Sequence, residues 1–102
     1  MNKKFISLLS LAQKAGFIVT GEEQCEKAIS SGKGKLIILA TDASDNTKKK
    51  FRNKSIYYKV PIRILSDRDT LSKAIGKNNR PTLVIIDDRF ATQLSNLIDS
   101  IN

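Results

Sequence analysis

Histidine is absent from this chain, and cysteine occurs once, at Cys25. These two shortages exclude metal sites built on His and Cys ligands. They equally exclude a Ser-His-Asp or Cys-His nucleophile system. Catalysis would have to rest on carboxylates, lysines or backbone amides. A lone cysteine forms no internal disulfide and fits a reducing, cytoplasmic compartment. No apolar run approaches the roughly 20 residues that a membrane-spanning helix needs. The opening MNKKFISLLSLAQKAG puts two lysines before an apolar stretch, as a signal peptide does. Ser7, Ser10, Gln13 and Lys14 interrupt that stretch at helical spacing, so it reads as an amphipathic helix of the folded chain. Glycine-rich phosphate loops of the GxGxxG or GxxxxGK type are missing. Acids are scarce relative to bases: 10 Asp and Glu stand against 18 Lys and Arg, giving a net charge of +8.

What is present is an ordinary globular composition, 40% hydrophobic and 27% charged, in 102 residues. That length predicts one domain, residues 1–102, with a modest but self-sufficient core. The positive field predicts an anionic partner, nucleic acid ahead of a membrane. The charge is uneven. Residues 42–59 and 63–80 are strongly basic, whereas residues 87–99 are net acidic.

Helical and strand patterns alternate along the chain. Phe5, Leu8, Leu9 and Ala12 recur on one helical face, with Gly16 as a stop. Phe17, Ile18 and Val19 form a very short strand. Thr20 precedes Glu23 by three residues, which predicts a capping box at the start of the second helix. That box would explain two adjacent acids, Glu22 and Glu23, in a basic chain, and it predicts that Thr20→Ala loses about 1 kcal/mol. Cys25, Ala28 and Ile29 give that helix its inner face, and Gly32 ends it. The run from Lys35 to Ala40 reads as a central strand covered on both faces. Asp42 or Ser44 caps a third helix carrying Lys48, Lys49, Lys50 and Arg52. The segment Val60 to Leu65 is a strand with Pro61 at its start or on an edge. Ser66 and Asp67 open a fourth helix with Leu71, Ala74 and Ile75 inward, closed by Gly76. Thr82 to Ile86 is the last buried strand. Asp87 or Asp88 caps a final helix whose stripe is Phe90, Leu94, Leu97, Ile98 and Ile101. The alternation predicts an α/β sandwich with helices on both faces of a small sheet.

Three constellations can carry function. The first runs from Gly21 to Lys35 and includes Gln24, Lys27 and Lys33. A helix start offers free amides to phosphate, and an amide side chain beside a lysine can read a base edge. The same residues also make a solvated helix face. The second is Ile75-Gly76-Lys77-Asn78-Asn79-Arg80-Pro81, which can wrap a base or phosphate or simply turn a helix into a strand. The third is Lys48-Lys49-Lys50 with Arg52 and Lys54, followed by Tyr57 and Tyr58. It offers phosphate contacts and base stacking, or a solvated surface with a ring in the core. For an enzyme, the candidates are Asp42 and Asp87 or Asp88 at strand C-termini. Helix capping explains the same acids.

Three stretches carry a family pattern. They are Gly21-x-x-Gln24-x-x-Lys27-Ala28-Ile29, then Gly32-Lys33-x-Lys35 through Asp42-Ala43-Ser44, then Leu71-x-x-Ala74-Ile75-Gly76-Lys77. Together they resemble the kink-turn-binding ribosomal protein family of the archaeal L-seven-Ae and L-thirty-e type. Asp42-Ala43-Ser44-x-Asn46-Thr47-Lys48-Lys49-Lys50 is most similar to its bacterial YlxQ-like branch. The resemblance covers nearly the whole chain. It implies a three-layer α/β/α sandwich with a four-stranded mixed sheet and no cofactor. It implies RNA contacts from the start of the second helix, here Gly21, Gln24, Lys27 and Lys33. It implies further contacts from the loop before the last strand, here Ile75, Gly76, Lys77, Asn78, Asn79 and Arg80. Two departures stand out. Glu23 occupies a position where the family usually has Asn or Lys, and the loop is polar where the family usually presents aliphatic residues. The implied partner is structured RNA of the translation machinery, with ribosome-associated proteins as further partners and no membrane. The other reading is a protein-interaction module that kept this fold and lost specific RNA recognition.

Overall fold

The structure, a computed structural model, describes residues 3–101, with side chains through Ser100. Its elements in chain order are α1 (Lys3–Lys14), β1 (Ile18–Thr20), α2 (Glu22–Ser30), β2 (Leu36–Leu39) and α3 (Asp45–Tyr58). They continue with β3 (Ile62–Ile64), α4 (Arg68–Ala74), β4 (Thr82–Ile85) and α5 (Asp88–Ile101). The strands form one four-stranded sheet in the order β1-β4-β2-β3. β4 runs antiparallel to β1 and to β2, and β2 runs parallel to β3. The sheet is therefore mixed. The two strands predicted as buried are the two central ones, and every residue of each is buried. β1 and β3 lie at the edges and are only partly covered. Pro61 immediately precedes β3, where the missing amide costs no ladder bond.

Strand alternation divides the central side chains between two cores. Leu36, Ile38, Leu83 and Ile85 face α1, α4 and α5, packing with Phe5, Leu9, Leu71 and Leu94. Ile37, Leu39 and Val84 face the other way, packing with Cys25 and Ile29 of α2 and Phe51 of α3. The result is a three-layer α/β/α sandwich. Gly34 lets the α2–β2 turn lie close on the sheet, since a Cβ there would meet Val84 Cγ1 at 3.0 Å. The apolar stripe predicted for α5 is buried or half-buried through Ile98, and the side chain of Ile101 lies outside the described residues.

The capping predictions divide. Ser44 is the N-cap of α3 and accepts from the Thr47 amide at 3.1 Å. Asp67 caps α4, and the Thr70 hydroxyl and amide hold its carboxyl below the usual carboxylate range. Asp87, rather than Asp88, accepts from the Phe90 amide at 3.0 Å in the first turn of α5. The capping box of Thr20 and Glu23 does not form. Gly21 is the N-cap of α2, at φ 86° and ψ 132°, with no side-chain cap bond. A positive φ, open to glycine without strain, turns the chain from β1 into α2 within one residue. Thr20 therefore stays in the strand, and Glu23 falls one position short of the reach-back site. Glu23 instead points forward to Lys27, at 3.7 Å.

Cys25 is fully buried, with its thiol aimed at the carbonyls of Val19 (3.4 Å) and Thr82 (3.7 Å). Burial, with smaller contributions from Glu22 and Glu26, pushes the thiol up to about 12. Two outcomes follow. Ser44→Ala should cost about 1 kcal/mol in chemical denaturation, and Thr20→Ala clearly less than that. In addition, the native fold keeps the thiol protonated, so its contribution to stability is complete below the ordinary value of 9.0 and fades as pH rises towards about 12. Denaturation of the wild type over that range should show a loss of stability that Cys25→Ala, although weaker throughout, lacks.

Candidate nucleic-acid interface

Because β4 runs against β1 and β2, its start lies at the same sheet edge as their ends. Thr20 pairs with Leu83, and Leu39 with Thr82. The turn from β1 into α2 and the loop entering β4 therefore meet. Between them is a cleft of about 310 Å³ lined by Gly21, Glu22, Asn79, Arg80, Pro81 and Thr82. Two segments separated by more than fifty residues, each singled out in the sequence, form one site.

The loop is held firmly on its protein side. α4 ends with the Gly76 amide donating to Lys73 O at 3.0 Å and the Lys77 amide to Ser72 O at 2.8 Å, with Gly76 at φ 69°. This glycine-terminated turn leaves Lys77, Asn78 and Asn79 exposed. The Arg80 amide donates to the buried Ser72 hydroxyl at 2.7 Å. Arg68 adds a clamp that sequence reasoning missed. Its Nη1 donates to Asn79 Oδ1 at 3.0 Å and its Nη2 to Asp42 O at 2.7 Å. Its backbone amide donates to Asp42 Oδ1 at 2.9 Å. The loop before β4 is thus tied to the turn before α3. Asp42, flagged as a cap, does open a helix, but that helix is α4. No local signal marks Arg68, because its partners lie 11 and 26 residues away.

Arg80 is the exception to this satisfaction. Its Nη1 donates to Asn78 O at 3.1 Å, but its Nε is buried without a partner. Among the described residues it is the one buried side-chain nitrogen or oxygen left unpaired. An unpaired buried donor is costly, and such groups call for an explanation.

The predicted site residues separate into groups. Gly21, Asn79 and Arg80 line the cleft. Gln24 and Lys27 are exposed on α2 just beyond it, and Gly76, Lys77 and Asn78 are exposed on the loop. Ile75 is buried at 5% exposure in the core beneath α4, so it anchors the loop and presents nothing to a partner. Lys33 is set apart from the cleft. It follows the far end of α2, a helix of nine residues spanning roughly 13 Å. The neighbouring Lys35 amide bonds Ile85 O at the opposite sheet edge. Chain proximity placed Lys33 with Gly21, and the length of α2 parts them.

The acids of α2 face α3. Glu22 accepts from Thr47 Oγ1 at 2.9 Å and pairs with Lys50 at 3.4 Å. Glu26 pairs with Lys50 at 3.7 Å and Lys54 at 3.8 Å. Lys50 and Lys54 are thereby engaged within the protein, whereas Lys48, Lys49 and Arg52 make no ion pair among the described residues. The carboxylates considered for catalysis do not assemble. Asp42 and Asp87 follow strands that run in opposite directions, so they lie at opposite edges of the sheet. Among the described residues no helix is long and apolar enough to cross a membrane.

Known proteins resemble this chain in sequence and in fold. The chain is 40% identical over 96 residues to the RNA-binding protein YlxQ of Bacillus subtilis (strain 168), covering 94% of this chain and 96% of that one. It is 40% identical over 97 residues to the RNA-binding protein YlxQ of Enterococcus faecium, covering 95% and 93%. Among solved structures, a Bacillus halodurans protein of unknown function superposes with a TM-score of 0.93 at 41% identity, over 96% of this chain and 99% of that one. The Giardia lamblia 15.5kD RNA binding protein superposes with a TM-score of 0.79 at 16% identity, over 100% and 93%, which speaks to the fold alone. The family model for the ribosomal protein L7Ae/L30e/S12e/Gadd45 family matches residues 3–95, and the chain belongs to that family.

Proposed function

We propose that this protein binds structured RNA, without catalysis, at the cleft between the start of α2 and the loop 76–80. The observation that carries this reading is the meeting of Gly21 with Asn79 and Arg80 around a cleft where Arg80 Nε has no partner. The free amides at the start of α2 and its dipole favour phosphate. Gly21 leaves open space where a side chain would stand, so a phosphate or base can approach the backbone. Lys77 and Arg80 supply positive charge, and Gln24 supplies an amide for a base edge. An RNA phosphate that draws the Arg80 side chain out of its buried position gives Nε the acceptor that the described residues do not provide. Of the two acids at the helix start, Glu22 detracts little from this attraction, and Glu23 is the one that opposes it. Glu22 is held by Thr47 and Lys50, whereas Glu23 pairs along its own helix with Lys27. The RNA-binding names of the 40% identical relatives support the same reading. We further assign the protein to the translation machinery in the cytoplasm, with a kink-turn as the RNA shape that fits a helix start and an adjoining loop.

RNA affinity should fall with salt, with a log–log slope of about −2 to −5 for a few phosphate contacts. No measurable binding at low salt would sink the proposal and favour a protein-interaction role. Glu23→Asn tests the kink-turn assignment. The substitution removes a negative charge, frees Lys27 from its pair and places an amide beside Gln24. Affinity for a kink-turn should rise about fivefold, and for an unkinked duplex by less. Stability should change by no more than about 0.5 kcal/mol, because only an exposed ion pair is lost. An equal gain for both RNAs would mean that charge alone had changed. Lys77→Ala should weaken both RNAs alike.

A further inference from the structure

α3 has one buried residue, Phe51. On its outer side Lys49, Arg52, Asn53, Ile56 and Tyr57 are all exposed. Their spacing is i, i+3, i+4, i+7 and i+8, which is a single helical face. The cations of α3 divide accordingly. Lys50 and Lys54 turn towards α2 and meet its acids, whereas Lys49 and Arg52 pair with no acid among the described residues. The same face ends in exposed apolar groups. Ile56 and Tyr57 are each 78% exposed, although both belong to types that proteins cover. Tyr57 stands edge-to-face with Tyr58, their ring centroids 4.8 Å apart at 76°. Tyr58 is more covered, at 38% exposure, and props the outer ring.

We infer that this face of α3 is a second RNA site, one that takes unpaired nucleotides. Lys49 and Arg52 meet phosphates, Tyr57 stacks on a base with Ile56 beside it, and the Asn53 amide reaches a base edge. Cations about one and a half and two helical turns from a propped ring, on the same side of the helix, are what single-stranded nucleic acid requires. An apolar partner helix would need a wider greasy stripe than two residues, and an acidic peptide would have no use for the ring. The first turn of α3 is bonded to the first turn of α2 through Thr47 and Glu22 at 2.9 Å. The face therefore leads away from the cleft along about 21 Å of helix. An RNA held at the cleft can lay its unpaired flank along it. The inference does not depend on the cleft, and its test is separate.

The chain has two tyrosines and no tryptophan, so its tyrosine emission reports this patch alone. The experiment titrates the full chain with single-stranded oligouridylate at low salt and follows both emission and affinity. Emission should be quenched in proportion to the bound fraction. Tyr57→Ala should weaken binding at least about fivefold, and Tyr57→Phe should retain most of it. Arg52→Gln should lower the salt slope by about one. Both side chains lie on open surface, and an unchanged thermal unfolding curve checks that the variants fold. Lys77→Ala, on the loop beside the cleft, should leave the quench intact. Quenching that persists in a protein failing to bind any internal-loop RNA would support this site while the cleft reading fell. Saturated binding without quenching, or unchanged affinity in Tyr57→Ala, would overturn it. Equal quenching by polyglutamate would also overturn it, in favour of an acidic protein partner.

Discussion

β4 lies between β1 and β2 and runs against both. Nearly everything else in the molecule depends on that insertion. It makes β2 and β4 central, so their side chains are buried on both faces and are apolar except for Thr82 at the start of β4. It splits those side chains between two cores, which requires helices above and below. It also reverses the sense of β4 relative to its neighbours. A loop entering β4 then meets the turns leaving β1 and β2, and the cleft is the product of that reversal. Residues such as Leu83 and Val84 act on the cleft without touching it, because their packing sets where the loop is delivered.

The second constraint is the distribution of acids. A basic helix such as α3 repels itself and its neighbours unless some of its charge is balanced. Glu22 and Glu26 balance it on the side facing α2. Each exposed pair is worth little alone, about 0–1 kcal/mol. Four groups sharing charge across two helices fix the rotation of α3 about its axis, since Phe51 is its only buried anchor. That rotation decides which cations remain open. Glu22 and Glu23 therefore answer different needs. Glu22 and Glu26 lock one helix to another, while Glu23 pairs along its own helix and holds nothing else.

The architecture was legible where burial demands a pattern. Two continuous apolar runs marked the central strands, partial runs marked the edges, and helical stripes marked inner faces. The family pattern gave the sheet its strand number. The cap at Ser44 was legible as one of two choices, because a hydroxyl before a polar turn is a local signal. The box at Thr20 failed through a single residue: Gly21 uses a positive φ to start α2 one position late. Spacing rules assume a register, and a glycine able to take either sign of φ removes that assumption. Lys33 was grouped with Gly21 by nearness in sequence and by the family pattern, although a whole helix lies between them. Strand direction was equally hidden. Asp42 and Asp87 both follow apolar runs, and only the antiparallel pairing of β2 with β4 sends them to opposite edges.

The least legible part of the site is also its most ordered. Arg68, Asp42, Asn79 and Ser72, with the Arg80 amide, form a net of hydrogen bonds between three segments, the turn before α3, α4 and the loop before β4, that no local pattern connects. Such a net fixes the loop before any partner arrives, so less ordering remains to be done on binding. It satisfies the loop's protein side and leaves its outer side, Lys77 to Asn79, to solvent. Arg80 stands at the boundary between the two. Its amide belongs to the net, through Ser72, and its Nε has no partner among the described residues. Among the described residues the fold pairs its other buried side-chain donors, and it places this exception beside a cleft where two distant segments meet.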